Sequence, residues 1–162
     1  MIHIDGEILN CLPKSGKILP STLDRSFGVN KLYDFTDVHD ITSVTVYYIK
    51  DYNNEFYYVP VTKYVNDKRE KINIVIDELE SSYIYNTNLM SFLNDNSKLL
   101  SVVEEEEILK LEFNDAIFSD ILNKDILEEV KYTIFLSAID NYNIKTVIFE
   151  VDGEEIYRKS IE

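Results

Sequence analysis

The sequence predicts an α+β fold, a two-layer sandwich with a mainly antiparallel sheet and two long helices on one face. Three observations carry this. β-Branched and aromatic segments come in pairs joined by Asp- and Asn-rich turns. Two stretches repeat their apolar residues with helical period. From Ile41 onward the elements follow the order β-β-α-α-β-β-α-β, in which helices need only one sheet face to bury their apolar stripes.

The elements follow from the residues in turn. Val44 to Lys50 reads as a strand, Asp51-Tyr52-Asn53-Asn54-Glu55 as a turn, and Phe56 to Tyr64 as the returning strand of a hairpin. Pro60 removes a ladder donor, so it marks an edge or a bulge. Asp67 and Glu70 have capping-box spacing, and Ile72, Val75, Ile76, Leu79 and Tyr83 then fall on one helical face. Leu89 to Leu93 reads as a short second helix. Leu99 to Val103 and Leu109 to Phe113 are strands joined by Glu104 to Glu107, and the second alternates apolar and charged residues. Asp125 and Glu128 open a long helix that runs to about Asp140. Its second half is apolar on most sides, which predicts deep burial. Val147 to Val151 is the last strand, ended by the turn pair Asp152-Gly153.

Residues 1–40 differ from this body. They hold three of the four glycines and two of the three prolines, and read mostly as loop or linker. Residues 41–162 form the domain. The opening Ile2-His3-Ile4-Asp5-Gly6-Glu7-Ile8 is an exception and reads as a strand with a turn. Ile4-Asp5-Gly6-Glu7 echoes Val151-Asp152-Gly153-Glu154 at an offset of 147 residues. Either the echo is a chance recurrence of a common turn, or the chain opens with the closing strand of a preceding domain copy. In the second case that strand should either lie disordered or, as its apolar residues favour, pair with an exposed edge of the sheet that carries the domain's closing strand or with the equivalent edge of a neighbouring molecule.

Composition excludes several functions. A net charge of −14 over 162 residues repels phosphate backbones and anionic lipid. Cys11 is the only cysteine, so neither a disulfide framework nor a cysteine-rich zinc site can form. Ile8-Leu9-Asn10-Cys11 resembles the end of a lipoprotein signal only faintly, because Asp5 and Glu7 interrupt the apolar stretch such a signal needs. No apolar run reaches the ~20 residues of a membrane helix.

Candidate chemistry is sparse. His3 and His39 lie in separate segments, and Asp37-Val38-His39-Asp40 reads as a solvated loop. Glu104 to Glu107 lacks the alternation and central glycine of a calcium loop. No Gly-x-Ser-x-Gly elbow is present, and Gly153 is the only glycine after Gly28, which leaves no phosphate cradle. The expectation is a chain without catalytic residues, cofactors or metals. Aromatics are the unusual cluster: Tyr47, Tyr48, Tyr52, Phe56, Tyr57 and Tyr58 all lie on the first hairpin. Strands alternate faces, so neighbouring tyrosines should point to opposite sides. Tyr48, Tyr52, Tyr57 and Tyr58 are the candidate interaction surface, and cross-strand pairing that only stiffens the hairpin is the other reading.

Several segments together resemble the GerMN domain of the sporulation and spore germination family. They are the hairpin from Val44-Thr45-Val46-Tyr47-Tyr48 to Tyr57-Tyr58-Val59-Pro60-Val61-Thr62, the helix around Ile76-Asp77-Glu78-Leu79, the strand pair Lys98 to Val102 and Leu109 to Asn114, and the closing Val147 to Gly153. The resemblance covers Ile41 to Ile156, with Asn94-Asp95-Asn96-Ser97 replacing the family's Pro-Glu-Gly loop. It implies an extracytoplasmic domain, often on lipoproteins and sometimes in tandem, anchored through a lipoprotein signal of the full-length protein. The implied role is a non-catalytic assembly module with protein partners or self-association at the cell envelope. A glycan-binding domain using the exposed tyrosines is the alternative.

Overall fold

The computed structural model describes residues 2–4, 7–9, 41–80 and 89–161. Expectations for Cys11, His39, Tyr83 and the linker to Asp40 lie outside the described residues. Strands β1 (Ile2–Ile4) and β2 (Glu7–Leu9) pair antiparallel, with Ile4 opposite Glu7. They form a two-stranded sheet of their own. This corrects the expectation that the segment adds to an edge of the main sheet: each short strand supplies the other's ladder partners.

Strands β3 (Thr42–Tyr52) and β4 (Glu55–Val65) make a long antiparallel hairpin. Its turn is tighter than the sequence suggests. Only Asn53 and Asn54 lie between the strands, both with positive φ (54° and 61°), the backbone that matches strand twist and that asparagine tolerates.

Helix α1 (Lys71–Glu80) buries Ile72, Ile74, Val75, Ile76 and Leu79. It begins after the proposed Asp67 cap, because the Asp67 carboxylate instead accepts hydrogen bonds from the Arg69 amide (2.9 Å) and its guanidinium. The expected helix at Leu89 to Leu93 is absent. Met90 exchanges two backbone hydrogen bonds with Ile49, at 2.7 and 2.8 Å. Five residues are too few to nucleate a helix, whereas the bare edge of β3 offers immediate partners.

Strands β5 (Leu99–Glu105), β6 (Ile108–Phe113), β7 (Thr146–Val151) and β8 (Glu154–Ser160) form a second sheet in that order. β6 and β7 are parallel and the outer pairs antiparallel, with helix α2 (Glu128–Asn141) as the crossover between them. Beside the β1–β2 pair, two sheets therefore stand in place of the single one expected. β8 went unread because Glu154, Glu155, Arg158 and Lys159 give it the polar text of an edge strand. The turn into it uses Asp152 (φ 53°) and Gly153 (φ 75°).

One core unites these parts. Leu109, Leu111 and Phe113 of β6 and Val147, Phe149 and Val151 of β7 pack with both helices and with Val44, Val46 and Tyr48 of β3. The described residues thus form an α+β fold with two long helices, as the sequence predicts. α2 lies along β3 in the opposite direction: Asn141 bonds Thr45, Ser137 bonds Tyr47, and Tyr132 stacks on Tyr58, the residue opposite Ile49. The first turn of α2 therefore points toward the β3–β4 turn. Its amino end carries no side-chain cap, because the capping position is held by Leu127, whose side chain has no acceptor, and not by Asp125, whose backbone bridges to Asp120 in the preceding loop.

Candidate interaction surface

The hairpin tyrosines separate into two groups. Tyr47 and Tyr48 are both fully buried, contrary to the alternation argument. The reason is that both faces of β3 are covered. Tyr48 faces α1, where burial and then Glu78 hold its phenol well above the ordinary tyrosine range. Lys63 ion-pairs with Glu78 and sits 5.5 Å from the centre of the Tyr48 ring. Tyr47 faces α2, and its hydroxyl donates to Asp140 Oδ2 at 2.6 Å. Tyr48 is thus a core residue and leaves the candidate surface.

Tyr58 is half-buried and stacks on Tyr132, with ring centres 5.5 Å apart and planes 29° apart. Its phenol is raised by burial, then by Glu129, Tyr132 and Glu128. On the same strand face, Phe56 meets Phe92 edge-on at 5.7 Å. Tyr52 and Tyr57 lie on the opposite face, 59% and 47% exposed, and touch edge-on at 6.4 Å. The Tyr57 hydroxyl donates to Glu55 at 2.9 Å, which raises its pKa. Of the four tyrosines proposed from sequence, Tyr52 and Tyr57 are open to solvent and Tyr58 partly so.

Sequence reasoning missed a second apolar feature, the loop Ser119–Asp125. Its tip carries Ile121 at 65% and Leu122 at 95% exposure. The loop is tightly bonded. Asp120 Oδ1 accepts from the Leu122 and Asn123 amides at 2.9 and 3.2 Å, and Oδ2 accepts from Asn123 Nδ2 at 2.7 Å. These bonds pull the Asp120 carboxyl below the usual carboxylate range. Ser119 donates from both its amide and its hydroxyl to the Asp125 carbonyl, at 2.8 and 3.1 Å. The available signal was Ile-Leu between Asp120 and Asn123, two turn formers with no apolar period around them.

Among the described residues no group of three His, Cys, Asp or Glu side chains is placed to hold a metal ion. Among them also, no helix is long and apolar enough to cross a membrane. Fold and surface together define a small α+β domain whose exposed features are aromatic and aliphatic side chains in an acidic setting. The family model described as "Germane: Sporulation and spore germination" matches residues 45–157, and the chain belongs to this GerMN family. It is 30% identical over 160 residues to the spore germination protein GerM of Bacillus subtilis (strain 168), covering 94% of this chain and 43% of that protein. The chain thus spans less than half the length of this curated relative. A solved structure of the tandem GerMN domains of the sporulation protein GerM from Bacillus subtilis superposes with a TM-score of 0.67 at 28% identity. That match covers 93% of this chain and 53% of the solved one.

Proposed function

We propose that this chain is a non-catalytic protein–protein interaction module of a sporulation-related protein at the cell envelope, extracytoplasmic and anchored through a lipoprotein signal of the full-length protein. The carrying observation is the pair Tyr52 and Tyr57, large rings held in water at the end of a rigid hairpin in a member of a sporulation family. Exposed tyrosine suits an interface because it offers large area with few rotamers and a polar tip. The experiment is a double Tyr52→Ala, Tyr57→Ala variant, assayed for binding to purified envelope proteins and to purified cell-wall glycan. Loss of protein binding with normal melting supports the module. Loss of glycan binding alone replaces it with the carbohydrate reading.

The N-terminal hairpin supports a tandem arrangement as part of this proposal. Ile4 stands opposite Glu7 in β1–β2 as Val151 stands opposite Glu154 in β7–β8, so the repeated tetrapeptide recurs in the same pairing. β1–β2 then corresponds to the closing hairpin of a preceding copy. A structure of a longer chain tests this, since an upstream copy would place β1–β2 at the edge of its own sheet.

A further inference from the structure

We propose that the end of the domain formed by the β3–β4 turn, Phe92 and the loop Ser119–Asp125 docks a protein partner that presents an apolar pocket ringed by lysine or arginine; this rests on the interaction reading above. Three features share this end. The first turn of α2 points toward the β3–β4 turn, as the Tyr132–Tyr58 stack shows, and Glu128 and Glu129 of that turn act on the Tyr58 phenol. Lys124 of the loop ion-pairs with Glu154 beside the β7–β8 turn. Lys131 of α2 lies 5.5 Å from the centre of the Tyr157 ring on β8, which fixes that turn at the same end.

Most large apolar side chains exposed among the described residues gather here: Tyr52, Phe56, Tyr57, Phe92, Ile121 and Leu122. Of the others, Leu127 stands just before α2 at this same end, and Leu100 and Val103 lie on the outer strand β5. Tyr64, opposite Ser43, and Ile161, whose amide bonds the Lys145 carbonyl, lie at the opposite end. At the opposite end Lys145 meets Glu107 at 2.8 Å beside the β5–β6 turn. An apolar tip held by an Asp120 side chain and a Ser119 clamp is a rigid knob, so the partner supplies the pocket.

Charge selects the partner. Asp51 and Glu55 flank the β3–β4 turn, Asp120 and Asp125 lie in the loop, and Glu128 and Glu129 open α2, against Lys50, Lys124 and Lys131 on the same elements. A net charge of −14 opposes both a second copy and an anionic bilayer, and favours a basic rim.

The test replaces Leu122, Phe56, Tyr64 and Glu105, one at a time, by a photo-crosslinking residue in the full-length protein in its host. The crosslinked protein is identified and purified, then titrated against wild type, Leu122→Asp and Glu105→Ala. Crosslinks from 122 and 56 to one protein are expected, with Leu122→Asp weakening its binding by roughly tenfold or more. Glu105→Ala should bind as wild type, and added salt should weaken the wild-type complex. Leu122→Asp should keep the wild-type melting temperature, because its side chain is exposed. Crosslinks from 64 or 105 alone would overturn this surface and leave the interaction reading standing. Crosslinks between two copies, or binding to phosphatidylglycerol vesicles abolished by Leu122→Asp, would overturn the basic-partner assignment. No crosslink from any position would sink both.

Discussion

The Asn141 side chain completes the backbone edge of β3: its Oδ1 accepts from the Thr45 amide at 3.0 Å and its Nδ2 donates to the Thr45 carbonyl at 2.6 Å. A side-chain amide here does the work of a neighbouring strand. Two residues on, Ser137 Oγ accepts from the Tyr47 amide at 2.9 Å, and two further, Ile49 pairs with Met90. The edge of β3 that faces away from β4 is thereby closed at Thr45, Tyr47 and Ile49. In an antiparallel ladder, a residue whose amide points outward sits opposite one whose amide does the same. Pro60, opposite Tyr47, therefore turns its missing donor to the outer edge of β4, the position proline tolerates.

Asn141→Ala leaves the Thr45 amide and carbonyl without these partners. Equilibrium urea unfolding should show a loss of about 1–3 kcal/mol. Wild-type stability in this variant would mean that water replaces the amide and that the edge needs no closure.

Tyr48→Ala removes a ring from the core between β3 and α1, and should cost about 3–5 kcal/mol. Tyr57→Ala touches an exposed ring and should stay within about 0.5 kcal/mol. Paired thermal melts check this contrast. Equal losses would place Tyr48 at the surface.

The contrast also shows what the sequence could convey. Helix and strand positions were legible because Ile72, Val75, Ile76 and Leu79, or Leu109, Leu111 and Phe113, encode their period directly. The burial of Tyr47 beside Tyr48 was not, because alternation assigns a face and says nothing of whether that face is covered. The cover comes from α2, 90 residues away along the chain from Tyr47 to Ser137. For the same reason Tyr52 and Tyr57 could be named as exposed candidates, while the Ile121-Leu122 tip stayed hidden. Its exposure depends on a loop conformation set by Asp120, and no periodic pattern announces it.

Gly153→Ala isolates a backbone effect. Gly153 has φ 75°, and a Cβ there would meet nothing within 4 Å. The cost is the left-handed conformation alone, about 1 kcal/mol. Urea unfolding of the variant reads it, and no change would show that the turn relaxes to another type.

Alkaline pH should weaken the fold through Tyr142. Its hydroxyl accepts from the Ile72 amide at 3.0 Å and donates to Glu70 at 3.2 Å, tying the first turn of α1 to the end of α2. Burial first, then the neighbouring carboxylates Glu70 and Glu104, push its pKa up to about 12, while the Ile72 amide opposes them. The unfolded chain loses this proton near 10, so between 10 and 12 the folded state binds more protons than the unfolded one. Stability is therefore complete below pH 10 and declines as pH rises toward 12. Tyr157, also pushed up to about 12 by burial and Glu128, adds a decline in the same window. Tyr142→Phe removes one titration and both hydrogen bonds. At pH 8 it should cost about 0.5–1.5 kcal/mol. Between pH 10 and 12 the variant should lose stability more slowly than the wild type, so the gap between them narrows. Urea unfolding of both proteins at pH 8 and pH 11.5 measures the gap, and an unchanged gap would show that Tyr142 titrates alike in the folded and unfolded chains.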